Sequence, residues 1–368
     1  MEYDIMRNSI YCILLSKGVE FLMIHEWNVL RVAACLSIVL LHSTTEIILI
    51  NGNIDNDLFQ LFRVLLAYAT PTFVLLSIII IANRYRDKIP ANFLITRFKF
   101  ILLPFVFFAF VYALNGELNY PDYNLTGKLL KNIFIGDFTG WFVLAIFQLY
   151  LIFWLIKKRN VSTIWLIPSM FFIGLLFLTF VNNVHIANSD LKAVFRMIFP
   201  TWLAYFAVAY LIGKYYNIVI NYLIKYRYIT ILLVLVSIGI IALNFSSGNT
   251  SGGSRRLDLL PFVISMTLMI LAFGKIMPRV RLIDFMSNYA FGIYLLHRLV
   301  QFYIAPYTAK FSSLTVQVGS LFIISLLICI LIIKLVSYLP FSAFMIGKIR
   351  GRATTNKNQQ TDQKRLTA

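Results

Sequence analysis

Arg31 and His42 are separated by ten mostly apolar residues, Val32 to Leu41. At about 100° per residue, eleven steps of a helix make three turns plus about 20°. The two side chains therefore share one face, about 16 Å apart along the axis. Glu46 lies one further turn along nearly the same stripe. A guanidinium suits phosphate recognition, and a neutral imidazole can accept a proton from a hydroxyl nucleophile. Each residue also has a plainer explanation: Arg31 as an anchor that snorkels to a membrane surface, His42 as a ring bonded to a neighbouring helix. Ionisable groups deep in an apolar helix are costly and are functional candidates by default. The run His42-Ser43-Thr44-Thr45-Glu46 is too polar to face lipid alone.

Two other stretches carry chemistry-bearing residues. Thr96-Arg97-Phe98-Lys99, shortly before Pro104, reads either as a phosphate clamp or as an ordinary basic flank; the clamp requires Arg31 to face the same cavity. Ser287-Asn288, Tyr294 and His297 put many polar groups into one apolar segment, and for His297 catalysis and structural bonding remain equally open. Trp141 fits an interfacial aromatic belt. Cys12, Cys35 and Cys329 have neither disulfide nor metal-ligand spacing. No glycine-rich phosphate loop or nucleophile elbow is present. His25 and His185 lie outside the spans and receive no role.

The composition dictates what positions these residues. Of 368 residues, 60% are hydrophobic and 13% charged, against about 45–50% and about 25% in soluble domains. The expected fold class is an all-α polytopic membrane protein. Ten runs can each span about 30 Å of hydrocarbon, near 29–50, 61–83, 98–115, 140–156, 162–182, 195–213, 226–244, 259–277, 285–306 and 315–338. Lys and Arg number five in 84–99, three in 157–159, three in 214–227, three in 275–281 and six in 348–365. The alternate connections hold none in 51–60, two each in 115–139, 183–197 and 245–258, and one in 307–314. This alternation puts both termini in the cytoplasm. Arg31 then sits at the cytoplasmic end of its span and His42 beyond mid-membrane. His297, about 18 Å above the cytoplasmic end of its own span, is near the depth of His42. The net charge of +18 is explained by basic cytoplasmic loops, so nucleic acid is not an expected partner. Residues 1–25 read as an N-terminal extension, either an interfacial helix or a stretch preceding a start at Met23. Residues 26–345 form the membrane domain, and 346–368 a basic, disordered cytoplasmic tail.

In order along the chain, Arg31 and His42, then Pro71-Thr72-Phe73 with Ser77, Arg97-Phe98-Lys99 with Pro104, Gly140-Trp141-Phe142, and Gly292-Ile293-Tyr294-Leu295-Leu296-His297 resemble the motifs of the membrane-bound acyltransferase-3 family. The resemblance covers roughly residues 26–338 and is closest to the small stand-alone glycan O-acyltransferases. Departures are Asn28 for an acidic residue, Ile78 for a glycine, and Arg298 after the histidine where a small residue is common. The resemblance implies transfer of an acetyl or succinyl group from cytoplasmic acyl-CoA to a hydroxyl of an envelope or extracellular polysaccharide. On that reading Arg31, Arg97 and Lys99 hold the nucleotide of the donor, and His42 is general base, its tautomer fixed by Glu46. His297 and Tyr294 would meet the thioester carbonyl or the acceptor. No bound cofactor is implied. The implied setting is a bacterial plasma membrane, with polysaccharide-synthesis proteins as partners. The competing reading is a polysaccharide exporter or flippase without acyl chemistry, its polar stripes lining a conduit.

Overall fold

The computed structural model describes residues 24–184 and 186–349. The N-terminal extension before Ile24, His185 and the tail from residue 350 lie outside the described residues. Among the described residues every regular element is helical.

The first helix, α1 (His25–Asn51), contains neither glycine nor proline, so nothing interrupts its apolar run. It stops at Gly52, whose φ of 85° is one that side chains disfavour and whose N–H bonds Ile48 O at 2.9 Å. Next come α2 (Asp57–Leu66), α3 (Ala69–Arg84), α4 (Phe93–Arg97) and, beyond a wide π turn at Phe98–Leu102, α5 (Leu103–Asn119). Pro104 withholds a backbone N–H, and the ladder widens just before it: Leu103 N–H reaches back to Phe98 O. α6 (Leu125–Ile135) is followed by α7 (Trp141–Lys158), α8 (Thr163–Asn183) and α9 (Ser189–Met197). A 3₁₀ turn, Phe199–Trp202, leads into α10 (Leu203–Lys214). The chain continues through α11 (Tyr216–Lys225), α12 (Arg227–Ser246), α13 (Leu259–Ile276), α14 (Arg281–Thr308), α15 (Leu314–Val336) and the short α16 (Ser342–Met345).

Among the described residues, eight helices or helix pairs are long and apolar enough to cross a membrane, and nine if a bent pair is one span. That pair, α9 with α10, replaces the straight span expected over 195–213. Ile198 is extended (φ −70°, ψ 144°) between the two helices, Pro200 sits at the start of the 3₁₀ turn that follows, where its missing N–H is tolerated, and the chain bends by 50°. The tenth expected span, 285–306, lies within α14. At 28 residues α14 is long enough, but its polar side chains keep it out of the set defined by apolar composition. Ser287, His297, Gln301 and Thr308 among them are buried inside the protein.

α1 is the central post, packed against α14, α13, α3 and α15. Its first turn is fixed by buried Glu26, which accepts from Tyr216 Oη at 2.9 Å and pairs with Lys275 at 3.4 Å. Near its far end Thr44 and Thr45 accept from Arg63 at 3.1 and 3.4 Å. Between α8 and α10 the backbones approach so closely that a Cβ on Gly174 would stand 2.3 Å from Ala204 N, as small residues allow between membrane helices. Gly174→Ala is expected to destabilise the fold by about 1–3 kcal/mol, read as a lower midpoint in thermal unfolding of the purified protein in detergent.

Candidate active site

α1 and α14 run side by side in the same direction, because their cross-links climb both sequences together. At one end Arg31 donates to Ser287 Oγ at 2.6 Å and to Asn28 Oδ1 at 3.2 Å. Ser287 donates to Asn28 Oδ1 at 2.9 Å, and Asn28 Nδ2 to Asp284 at 2.7 Å. In the middle the rings of His42 and His297 face each other, centroids 5.2 Å apart and planes tilted by 37°. Further along, Gln301 Nε2 donates to Val39 O at 3.0 Å and to Ser43 Oγ at 2.9 Å. Arg298 pairs with Glu46 through two of its nitrogens, the Nε contact at 3.0 Å.

The two histidines differ in setting. His297 is fully buried, with Nδ1 3.0 Å from Ile293 O. A carbonyl can only accept, so this nitrogen carries a hydrogen; Nε2 has no partner among the described residues. His42 is half-buried and lines a cavity, while its Nδ1 is buried without a partner among the described residues. The Tyr112 hydroxyl bridges Leu295 O and Leu299 N–H of α14, each at 3.2 Å, bracing the turn that carries His297 and Arg298.

Two cavities flank this pair. The larger, about 1010 Å³, is lined by His42, Glu46, Arg298, Arg196, Trp141 and Thr139 among others. The smaller, about 390 Å³, is lined by Arg31, Arg84, Arg97 and Lys348 together with Ser77, Tyr150 and Tyr294, and among the described residues no carboxylate lines it. A lining with four cationic side chains suits an anion. Arg97 is braced in it by aromatic faces, its guanidinium 4.2 Å from the Phe93 centroid and 5.8 Å from that of Tyr150. Tyr294, a wall of the smaller cavity, donates its hydroxyl at 2.7 Å to the carbonyl of Thr139, a wall of the larger. The rings of Phe73 and Phe142 stand 6.0 and 5.9 Å from that of Tyr294, and His297 6.1 Å from it.

Of the residues singled out in the sequence, Arg31, Arg97 and Tyr294 line the smaller cavity, His42 and Glu46 the larger, and His297 backs His42. Two placements differ from expectation. Glu46 is held by Arg298 rather than by His42, because a guanidinium is a stronger partner for a carboxylate than a neutral ring. Lys99 is exposed and outside the cavity; two helical steps place it about 200° from Arg97. Arg84, Lys348, Arg196 and Arg298 are further cations of the site. Sequence reasoning misses them because Arg84 and Lys348 stand in basic flanks and Arg196 in a connection between expected spans, where a charge has an ordinary topological role. Among the described residues no cluster of His, Cys, Asp and Glu could hold a metal ion.

Residues 24–334 match the acyltransferase-3 family, described as an acyltransferase domain. The chain is 30% identical over 292 residues to "Putative membrane-bound acyltransferase YfiQ" of Bacillus subtilis, covering 74% of this chain and 80% of that one. It is 26% identical over 335 residues to "Probable poly-beta-1,6-N-acetyl-D-glucosamine export protein" of Staphylococcus aureus strain Mu50, covering 87% and 94%. The protein of that name from Staphylococcus epidermidis is 25% identical, covering 87% and 93%. No solved structure matches. The chain belongs to the acyltransferase-3 family and is a multi-pass membrane acyltransferase.

The assignment of Glu46 to Arg298 can be checked by a double-mutant cycle. Glu46→Ala and Arg298→Ala are expected to couple by about 0.5–3 kcal/mol in thermal unfolding. The pair Glu46→Ala and His42→Ala is expected to be additive.

Proposed function

We propose that this protein takes an acyl group from acyl-CoA at the cytoplasmic side and transfers it to a hydroxyl of an envelope or extracellular polysaccharide. One observation carries the reading: a single helix contributes Arg31 to a cavity of four cations and His42, eleven residues on, to a larger cavity whose wall is hydrogen-bonded to that of the first through Tyr294 and Thr139. The alternation of basic connections supports the orientation, with the Arg31 end inside a bacterial plasma membrane. Arg31, Arg84 and Arg97 hold the phosphates of the donor nucleotide. The uncharged arm extends past Tyr294 and brings the thioester to His42, about 16 Å from Arg31. His42 takes the proton of the acceptor hydroxyl. The hydroxyl oxygen attacks the thioester carbonyl, the new C–O bond forms, the C–S bond breaks, and the proton passes to the departing thiolate. His297 touches neither substrate and acts as a positioning residue, its ring packed on that of His42. Acetyl and succinyl groups both fit this scheme, as does a partnership with polysaccharide-synthesis proteins.

The names of the staphylococcal relatives favour a second reading, polymer export without acyl chemistry. In cells carrying His42→Ala in place of the native residue, transfer is expected to fall by about 10²–10⁴-fold while polymer still reaches the outside, measured as ester-linked acyl groups on the exported glycan. Polymer accumulating inside with its acylation unchanged would establish export instead.

A further inference from the structure

We propose that the segment following the acyltransferase domain completes the basic cavity, and that its Lys348 binds a phosphate of the nucleotide donor. This rests on the reading of that cavity as the donor's nucleotide end. The family match ends at residue 334 and α15 at Val336. The chain then reverses through Phe341, a non-glycine residue with φ of 65°, into α16 and lies back across the start of α5. It is seated there by side chains. The ring of Phe344 stacks on Phe100 at 5.8 Å with planes 8° apart, and Ile346 is 4% exposed within the main apolar core. At Gly347 the backbone has φ of 81°, and a Cβ would stand 2.6 Å from Phe291 Cδ1 and 3.0 Å from Cε1. Only glycine meets both demands at once. Ile346 and Gly347, expected from sequence to lie in the tail, are thus buried parts of the bundle.

This seating decides where the next residue goes. Phe100 and Phe291 are themselves walls of the basic cavity. Lys348 lines the same cavity, its ammonium 5.8 Å from the centroid of Phe100. It joins Arg31, Arg84 and Arg97 there, with no carboxylate among the described lining residues. A lining of this composition suits a polyanion, which several cationic side chains can contact at once. The three arginines come from α1, α3 and α4, whereas Lys348 is supplied by a strap outside the matched domain. An ammonium on a flexible stem suits a phosphate at the rim as a point charge.

The test is CoA binding to the purified full-length protein in detergent by titration calorimetry. Lys348→Ala is expected to weaken CoA binding about tenfold, ~1.4 kcal/mol, with Lys348→Arg largely restoring it and the loss shrinking at high salt. Gly347→Val, which cannot seat against Phe291, is expected to reproduce the loss, with thermal unfolding confirming that each variant is folded. Should Gly347→Val fail to fold, the comparison of Lys348→Ala with Lys348→Arg decides alone. If Arg97→Ala loses CoA while Lys348→Ala binds it like the unaltered protein, the strap is not part of the site and the donor reading stands. If the unaltered protein binds no CoA, the donor reading falls and this inference with it.

Discussion

A guanidinium in an apolar bundle must have its hydrogen bonds answered by protein, since hydrocarbon offers none. The pairing of α1 with α14 is built around that demand. Arg31 is answered by Asn28 and Ser287, Arg298 by Glu46, and Gln301 by the Val39 carbonyl and Ser43. Apolar packing alone would fix little, because lipid tails are as apolar as leucine and helices could slide along one another. The polar groups lie at matched levels on two helices running in one direction, so a slip of one turn, about 5.4 Å, would break all of these contacts together. The register that satisfies them is also the one that sets His42 opposite His297. α14 is the least apolar of the long helices because its polar residues complete α1.

The basic cavity is assembled by a different means, local irregularity. Pro104 widens the turn over Phe98–Leu102, and that turn puts Phe100 and Ile101 on the cavity wall while Lys99 stays exposed. Arg97, just before it, is clasped by Phe93, Tyr85 and Tyr150. The aromatic clasp holds the cation with no acidic partner among the described residues, at the wall of the cavity.

How much of this is legible in the sequence follows from what each feature depends on. The shared face of Arg31 and His42 depends only on spacing, and the common level of His42 and His297 only on rise per residue and loop charge; both follow from the order of the residues. The separation of Arg97 from Lys99 is legible too, since two steps of a helix cannot share a face, yet a motif read as a unit conceals it. The partner of Glu46 is not legible, because the competing guanidinium comes from a residue 252 positions away in sequence. Arg84 and Lys348 are hidden for another reason. A Lys or Arg count sets which side of the membrane a loop lies on but not where a side chain reaches, and Lys348 reaches the cavity rim because Phe344, Ile346 and Gly347 seat the strap. The straight span expected over 195–213 ignores Pro200, which cannot donate to a continuing helix ladder and so marks a break that is readable.

The aromatic contact between the two cavities bears on how a membrane acyltransferase keeps its donor from water. A thioester that met water freely would be hydrolysed, so excluding solvent between the nucleotide end and the reactive end is useful in itself. Tyr294, Phe73 and Phe142 supply apolar bulk at that junction, closed by one hydrogen bond from Tyr294 to the Thr139 carbonyl. Breaking that bond costs only about 0.5–1.5 kcal/mol, whereas charge-assisted hydrogen bonds to phosphate contribute about 1.5–3 kcal/mol each. In the proposed reaction a donor anchored by several cations therefore has ample binding energy to displace the tyrosine, and an unanchored acyl group has none to spend. A nucleotide carrying several charges could not follow its arm through the same opening, because burying those charges costs far more than the tyrosine contact. In the proposed reaction the junction thus separates what is bound from what is passed, and the distance from Arg31 to His42 is set by the length of α1 that lies between them.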